Sequence, residues 1–349
     1  MNPHTLPAVR GGLLALLAAT LFGVSTPLVQ RAGTGLGAFT TAALLYAGAA
    51  LIGALLRQPV EKEAAVRPGD LKRLGLMALF GAGIGPVALA WGLQHTSGAS
   101  ASLMLALEAL FTAMLARVLY REVMDRRVWT AMLLLLAGGL ALIVDRGISG
   151  GVQGLGLLAV LGATAAWGID NTLSRGVAER DPGQVVLVKS ALGVAVTTAL
   201  AVTAGESMPG WGATLALLLI GASGYGLSLR LYLLAQRAFG AARTGSVFAF
   251  APFIGSIGAI ALGDRSLTMG MAVGGLLMLA GVLLHLAESH GHLHVHDELE
   301  HEHAHAHDDD HHDHTHAPMP AGPHSHWHRH TPVRHAHPHV PDVHHTHEH

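Results

Sequence analysis

Four ionisable side chains lie inside long apolar stretches of this sequence, at Glu108, Asp170, Lys189 and Arg230. A charge at the centre of a lipid bilayer costs about 3 kcal/mol on insertion scales, so such residues usually pair with one another or line a transport path. These side chains are therefore the first candidates for binding a charged substrate or carrying a coupled ion.

Glu108 is the strongest of these candidates because it lies too far from either end of its apolar stretch to reach the lipid headgroups. The sequence predicts a proton carrier or a counter-charge for a substrate there, and a protonated or hydrogen-bonded structural acid is the alternative. Ser100, Met104 and Thr112 are separated from Glu108 by multiples of four residues, which predicts one slowly drifting helical face.

A compact polar face is predicted around Asp170. Trp167, Asp170 and Asn171 are spaced i, i+3 and i+4, so a helix brings them together. Ser25 and Thr26 hold the corresponding places in an earlier helix. We expect the face around Asp170 to contact a substrate.

The other charges have structural alternatives. Lys189 and Arg230 lie near enough to a membrane surface for their stems to reach the headgroups, so snorkelling or structural pairing is the alternative for both. Asp170 is close in sequence to Arg175, so the two could form an ion pair at a helix end.

Aromatic residues add weaker candidates. Tyr225 and Tyr232 share a face of one predicted helix, and Arg230 points roughly the other way, so we expect that they do not serve one ligand. Trp91 lies at the outer end of another helix, where an interfacial aromatic belt explains it equally well.

The last part of the chain offers metal ligands. Residues 288–349 hold 23 of the 26 histidines, mostly as His-x-His, with 11 Asp and Glu nearby. Imidazole binds zinc, copper, nickel and cobalt, so labile binding of these metals is predicted, and no cofactor is required elsewhere. Prolines and the lack of apolar residues predict a disordered tail. The predicted ligands include His290, His292, His294, His296, His301, His303, His305, His307, His311, His312, His314 and His316.

The rest of the chain must be a membrane domain. Only 13% of the 349 residues are charged, there is no cysteine, and charge-free stretches such as 74–107 are long enough for two spans. Disulfides and thiolate sites are thereby excluded. We predict an all-α protein with ten transmembrane helices, at 11–30, 36–56, 71–93, 99–119, 127–145, 154–175, 184–204, 212–235, 243–263 and 269–287.

Charge asymmetry predicts the orientation. If the N-terminus is cytoplasmic, the inner loops hold 14 Lys and Arg and the outer loops hold 3. The positive-inside rule then places both termini in the cytoplasm of a plasma or inner membrane.

The two halves of the membrane domain resemble each other. Residues 22–26 match 167–171, and the Gln94 to Ala99 segment matches Gln236 to Ala241 at nearly the same offset. Five helices in each half would force the second copy to enter from the opposite side, which predicts inverted repeats with a substrate site between them. The predicted organisation is a cytoplasmic N-terminus at 1–10, repeats at 11–145 and 154–287, and the tail at 288–349.

On these features the chain resembles the drug/metabolite transporter superfamily and its EamA-type members. The resemblance includes a helix-end signature in residues 101–111 running into 119–122, with a second copy in 248–253 running into 262–264. Ala109 stands where the family usually has proline, and Arg121 where it has glycine. The resemblance implies a secondary transporter of small metabolites, amino-acid-like or drug-like, driven by an ion gradient or exchange.

Two alternatives stay open at this point. One is a divalent transition-metal transporter (nickel, cobalt or zinc) with a metal-binding tail, and the other is a membrane-anchored metal buffer or sensor. An enzyme is not predicted, because no catalytic motif occurs within the spans. The predicted partners are the lipid bilayer, a small-molecule or ion substrate and, as one option, a second copy of the chain, with no nucleic acid.

Overall fold

The protein is described by a computed structural model that covers residues 5–120, 124, 126–149, 151–239, 241–286, 290–295, 299–305, 324–330 and 334–339. The membrane domain in these ranges is helical throughout. Its first repeat contains α1 (Thr5–Ala32), α2 (Ala38–Leu55), α3 (Leu71–Met77), α4 (Gly85–His95), α5 (Gly98–Met104), α6 (Leu107–Tyr120) and α7 (Arg126–Ser149).

The second repeat follows the same plan. It contains α8 (Gly151–Ser174), α9 (Pro182–Thr203), α10 (Trp211–Ile220), α11 (Ser228–Phe239), α12 (Ala241–Phe248), α13 (Ala251–Ala261) and α14 (Met269–Leu286).

Several of these helices join end to end into membrane spans. Within the described residues, nine stretches are long and apolar enough to cross a bilayer, and they coincide with the first nine predicted spans. The tenth predicted span, 269–287, corresponds to the shorter apolar helix α14. The count of ten crossings therefore stays a prediction.

Both repeats carry the same two interruptions. A π-helical turn at Ala78–Ile84 joins α3 to α4, and a second at Gly221–Leu227 joins α10 to α11. The fourth span is broken at residues 105–106 between α5 and α6, and the ninth at 249–250 between α12 and α13. Such turns and breaks leave backbone groups outside the regular ladder and often lie beside functional sites.

The halves interlock through matching helix contacts. α4 packs on α8, and its equivalent α11 packs on α1. Likewise, α9 packs on the π turn at 78–84, and its equivalent α2 packs on the π turn at 221–227. The pairs α2–α9 and α7–α14 join equivalent helices of the two repeats. This exchange of contacts is what a pseudo-twofold relation between two repeats produces.

Glu206 ties the start of α2 to the end of α9. Gly205 adopts a positive φ of 66°, and the Glu206 N–H donates to the Ala201 carbonyl, so the chain turns sharply after α9. The Glu206 carboxylate then accepts from the N–H groups of Phe39 and Thr40, at 3.2 and 2.7 Å. A carboxylate at this position satisfies free donors at the N-terminus of α2.

The disorder predicted for the tail stays a prediction, and the parts of the tail that the structure describes are extended. Two antiparallel strand pairs are present, β1 (His290–Val295) with β4 (Arg334–His339) and β2 (Leu299–His305) with β3 (His324–His330). The His-x-His repeat has a period of two, which suits an extended strand as well as a solvated coil. His296, His307, His311, His312, His314 and His316 lie outside the described residues.

Candidate functional site

A buried ion pair lies at the centre of the second repeat. The Lys189 ammonium on α9 donates to Asp170 Oδ2 on α8, and the two residues are only 2% and 3% exposed. Lys189 therefore does not snorkel, and Asp170 takes Lys189 as its partner rather than Arg175. Sequence reasoning missed the pair because α8 and α9 are separate helices, and no local spacing predicts which residues face each other.

Glu108 lies next to this pair, at the start of a helix. It occupies the first turn of α6, directly after the break, and its carboxylate accepts from the Asn171 side chain on α8. Asp170 and Lys189 are close enough to act on Glu108 electrostatically. The break makes the predicted continuous face with Ser100 wrong, since that face needs an unbroken fourth helix.

Gly81 connects the ion pair to two aromatic side chains. Its carbonyl accepts hydrogen bonds from the Tyr46 hydroxyl and, at 3.0 Å, from Trp167 Nε1. The space that a side chain at Gly81 would need is filled by the Asp170 carboxylate. The first π turn thus brings Tyr46, Trp167 and Asp170 together around one peptide unit.

An aromatic cluster surrounds this point. The Phe22 ring meets the rings of Trp167 and Tyr225 edge to face, with centroids 5.6 and 5.8 Å apart. Tyr46 also meets Tyr225, at 5.6 Å. These spacings lie in the range of favourable aromatic pairs. Tyr46 and Phe22 were not predicted as site residues; nothing in the local sequence marks Tyr46, whereas Phe22 could have been found as the repeat counterpart of Trp167.

The pseudo-twofold counterpart of this arrangement, in which the second π turn meets α1, lacks the charge of Asp170. Gly224, in the second π turn, faces Ser25 on α1 as Gly81 faces Asp170 on α8. The Ser25 hydroxyl donates to the Phe22 carbonyl, at 2.6 Å, and Thr26 beside it is buried. The position of Asp170 is therefore filled by a neutral serine in the other half.

Lys189 also lacks a charged counterpart. Gly193 on α9 packs against the first π turn, and Gly48 on α2 packs against the region of the second, which sets the register of the two helices. Four residues before each glycine stand Lys189 and Leu44 respectively. The same backbone packing thus forms with an apolar residue at this position, so the fold itself does not require an ion pair.

The remaining candidates lie away from this cluster or at its edge. Trp91 is 40% exposed and stacks on His95 at the end of α4, with ring centroids 4.0 Å apart. Tyr232 packs edge to face on Phe248 at 5.1 Å. Arg230 acts electrostatically on Glu63, outside the cluster.

Two ion pairs join the repeats at the end where loop 56–67 lies, and we call them the latch. Arg180 binds Asp70 at 2.9 Å, and Arg237 binds Glu63 at 2.8 Å. Arg237 also donates to the carbonyls of Ala178 and Arg180, at 2.7 and 2.6 Å. Each pair joins an acid of the first repeat to an arginine of the second, so the latch ties the two repeats together at this end.

A cavity lies at the opposite end of the bundle. A cavity of about 300 Å³ lies between the ends of α1 and α13 and the start of α5. Its lining residues are Pro27, Gln30, Arg31, Ser97, Gly98, Ala259, Leu262, Gly263 and Asp264. The latch thus joins the two repeats at one end, and the cavity indents the other end.

The latch should respond to pH through Glu63. Burial raises the pKa of the Glu63 carboxyl, and the Arg237 guanidinium offsets this only in part. Opening the latch would return Glu63 to water and to its ordinary pKa, so the closed latch holds a proton more tightly. Linkage then favours the closed latch at low pH, and this preference is lost as pH rises through the raised pKa.

A single introduced cysteine can test this expectation, because the chain has no native one. Ala64 is fully buried beside Arg180, so Ala64→Cys should react with a maleimide only when the latch opens. Labelling should fall as the pH is lowered through the raised pKa of Glu63, and it should fall less when Glu63→Gln is added. The variant with Glu63→Gln corrects for the titration of the thiol itself. Equal pH dependence of labelling with and without Glu63→Gln would contradict the expected coupling between Glu63 protonation and latch closure.

Three or more metal-ligating side chains do not converge anywhere among the residues whose side chains are described. His95 is engaged with the Trp91 carbonyl at 2.7 Å. The tail imidazoles belong to residues whose side chains are not described, so metal binding there stays a prediction.

Comparison with known proteins identifies the scaffold. The model of the EamA-like transporter family matches residues 9–144 and 154–287, once for each repeat. The chain belongs to this family. The EamA-like family, within the drug/metabolite transporter superfamily, consists of membrane transporters rather than enzymes, as the helix-end signature implied.

The chain is also similar to two known proteins. An uncharacterized transporter of Methanothermobacter thermautotrophicus is 25% identical over 300 residues, covering 78% of this chain and 85% of that protein. A solved crystal structure, 19% identical, superposes with a TM-score of 0.57 and covers 80% of this chain and 96% of its own. The second likeness concerns the fold alone.

Proposed function

We propose that this EamA-like protein is a secondary transporter that exports small metabolites by exchange or in return for an ion. The observation that carries the proposal is the buried pair of Asp170 and Lys189, with the half-buried Glu108 beside it at the break in the fourth span. The first repeat has a serine and a leucine, Ser25 and Leu44, at the positions equivalent to Asp170 and Lys189. Since ionisable groups inside a bilayer are costly and the fold forms without this pair, the pair is better explained by transport than by folding.

Glu108 is the proposed coupling residue. A carboxyl taken out of water favours its protonated form, and a nearby negative charge adds to that preference. Asn171 can donate to the ionised carboxylate and accept from the protonated acid, so it can hold Glu108 in both states. Asp170, already paired with Lys189, is the proposed substrate contact.

Purified protein in vesicles tests this role. With a pH gradient imposed, a panel of amino acids, amines and carboxylates is added, and proton movement is followed with an internal pH-sensitive dye. Glu108→Gln should abolish substrate-dependent proton flux while leaving exchange of the same compound across the membrane measurable. Glu108→Asp is the matched control and should keep part of the flux. Unchanged flux in Glu108→Gln would make Glu108 a structural acid.

The proposed orientation places the latch and both chain ends in the cytoplasm. It is supported by the excess of Lys and Arg in the loops at the latch end. With this orientation the indented end faces outward, as expected of an exporter with its inner side closed. A membrane-impermeant maleimide should label Ala64→Cys in inside-out vesicles and not in intact cells.

Transport of a transition metal is the second candidate, and the 23 histidines of the tail favour it. A midplane metal site would have to use Glu108, Asp170, Asn171 and Met104. Asp170 is already paired with Lys189, and Met104 lies before the helix break. The membrane domain therefore supports this candidate less well than the tail does.

A further inference from the structure

We propose that the substrate is a small organic amine, bound as a monovalent cation with an apolar or aromatic body. This inference rests on the proposed transport function and specifies its substrate class. The ligand's ammonium group would take the place that Lys189 now holds on Asp170, and its body would lie among the rings of Phe22, Trp167 and Tyr225.

The site already holds a group of this chemistry. Lys189 is a primary ammonium on an alkyl chain, and its nitrogen is bound to Asp170 within a nearly water-free interior. A substrate amine can replace it without a new type of contact. Lys189 thus acts as a tethered competitor that neutralises Asp170 when no substrate is bound.

One carboxylate oxygen of Asp170 can accept a further hydrogen bond. Its second oxygen, Oδ1, is buried and has no hydrogen-bond partner among the described residues. A buried carboxylate oxygen without a donor costs free energy, so a ligand that supplies one would gain that free energy on binding. An ammonium group has three donors and can bridge this oxygen and a second acceptor.

Aromatic rings lie next to the carboxylate. Tyr46 and Trp167 both bond to Gly81, which contacts Asp170, and Phe22 and Tyr225 complete the cluster. Ring faces attract cations, most strongly where water is excluded, and ring edges pack against apolar groups. The chain has only 17 Phe, Trp and Tyr, so four of them beside one acid is a marked concentration.

Charge counting excludes other classes of ligand. With Glu108 and Asp170 ionised and Lys189 protonated, the group carries one net negative charge, which one monovalent cation or one proton neutralises. A carboxylic acid anion would add a second negative charge to a buried site. An amino acid is a zwitterion without net charge, so it would leave the one negative charge of the group uncompensated.

Four probes of similar shape and different charge test the proposal in vesicles: 2-phenylethylamine, phenylalanine, phenylacetate and 2-phenylethanol. Preloaded labelled phenylethylamine should exchange with external phenylethylamine, and an excess of each of the other probes should compete at least tenfold less well. Exchange of phenylalanine or phenylacetate in preference to the amine would overturn the substrate class while leaving the transport function intact. Failure of every probe, and of the wider panel, would count against the transport function itself.

The first repeat supplies the diagnostic variant. Asp170→Ser combined with Lys189→Leu gives the second repeat the pair found at Ser25 and Leu44, so the protein should fold and its preference for the amine should disappear. Asp70→Ser with Arg180→Leu removes an ion pair of the latch instead and should leave that preference unchanged. A folded Asp170→Ser, Lys189→Leu protein that still prefers the amine tenfold would overturn the assignment of Asp170.

Discussion

Replacing Lys189 alone by methionine should prevent most of the protein from accumulating in folded form. The change leaves the Asp170 carboxylate buried without its partner, and breaking a buried pair in this way typically costs about 3–5 kcal/mol. That is a large part of the free energy of unfolding of an ordinary domain. Adding Asp170→Ser should restore much of the loss, because a pair removed as a whole leaves no uncompensated charge.

Fluorescence-detected size exclusion and thermal unfolding in detergent measure this effect. Lys72→Met, at an exposed lysine near the start of α3, is the matched control and should behave like the parent. If Lys189→Met accumulated and unfolded like the control, breaking the ion pair would not destabilise the protein and the prediction would be wrong. Equal damage from the single and the double variant would instead show that Lys189 fills space that the methionine cannot fill.

Truncation after Glu288 should remove nearly all metal binding and leave the membrane domain folded. The described tail strands pair with one another, and their one described backbone bond to the rest runs from Ser325 to the Glu61 carbonyl at 3.4 Å. Titration calorimetry with nickel or zinc should show several sites on the full chain, lost below about pH 6 as imidazoles protonate. The truncated chain should show almost none.

Cell growth with the truncated protein separates the two candidate functions. If the protein exports metals, loss of the tail should shift the nickel, cobalt or zinc concentration that cells tolerate. Equal tolerance in deletion, full-length and truncated strains would rule out metal export. Metabolite export in metal-free medium should be the same with and without the tail.

Much of the fold could be predicted from the sequence because hydrophobicity and repeat spacing are local signals. The spans and the twofold plan follow from apolar stretches and from matching segments such as 22–26 and 167–171. The site could be predicted only in part. Glu108, Asp170 and Asn171 stood out as polar residues within spans, whereas the partner of Asp170 depends on how α8 and α9 are rotated against each other.

Irregular backbone explains one wrong inference, the continuous face with Ser100, and one missed set of contacts, those of Gly81. A helical face assumes 100° per residue, and the break before Glu108 cancels that assumption for Ser100 and Met104. The π turn at 78–84 likewise places the carbonyl of Gly81 where Tyr46 and Trp167 can reach it. Neither interruption has a proline or charge pattern at its centre that would have predicted it.

The paired π turns have a consequence for how the protein changes shape. In a protein of two related halves, opening to the other side amounts to each half adopting the shape that its partner had before. When the two halves exchange conformations in this way, a backbone feature that both halves already have stays the same. The π turns and the helix breaks should therefore persist as fixed joints throughout the cycle, and the motion must come from what the halves do not share: the latch at one end and the indentation at the other.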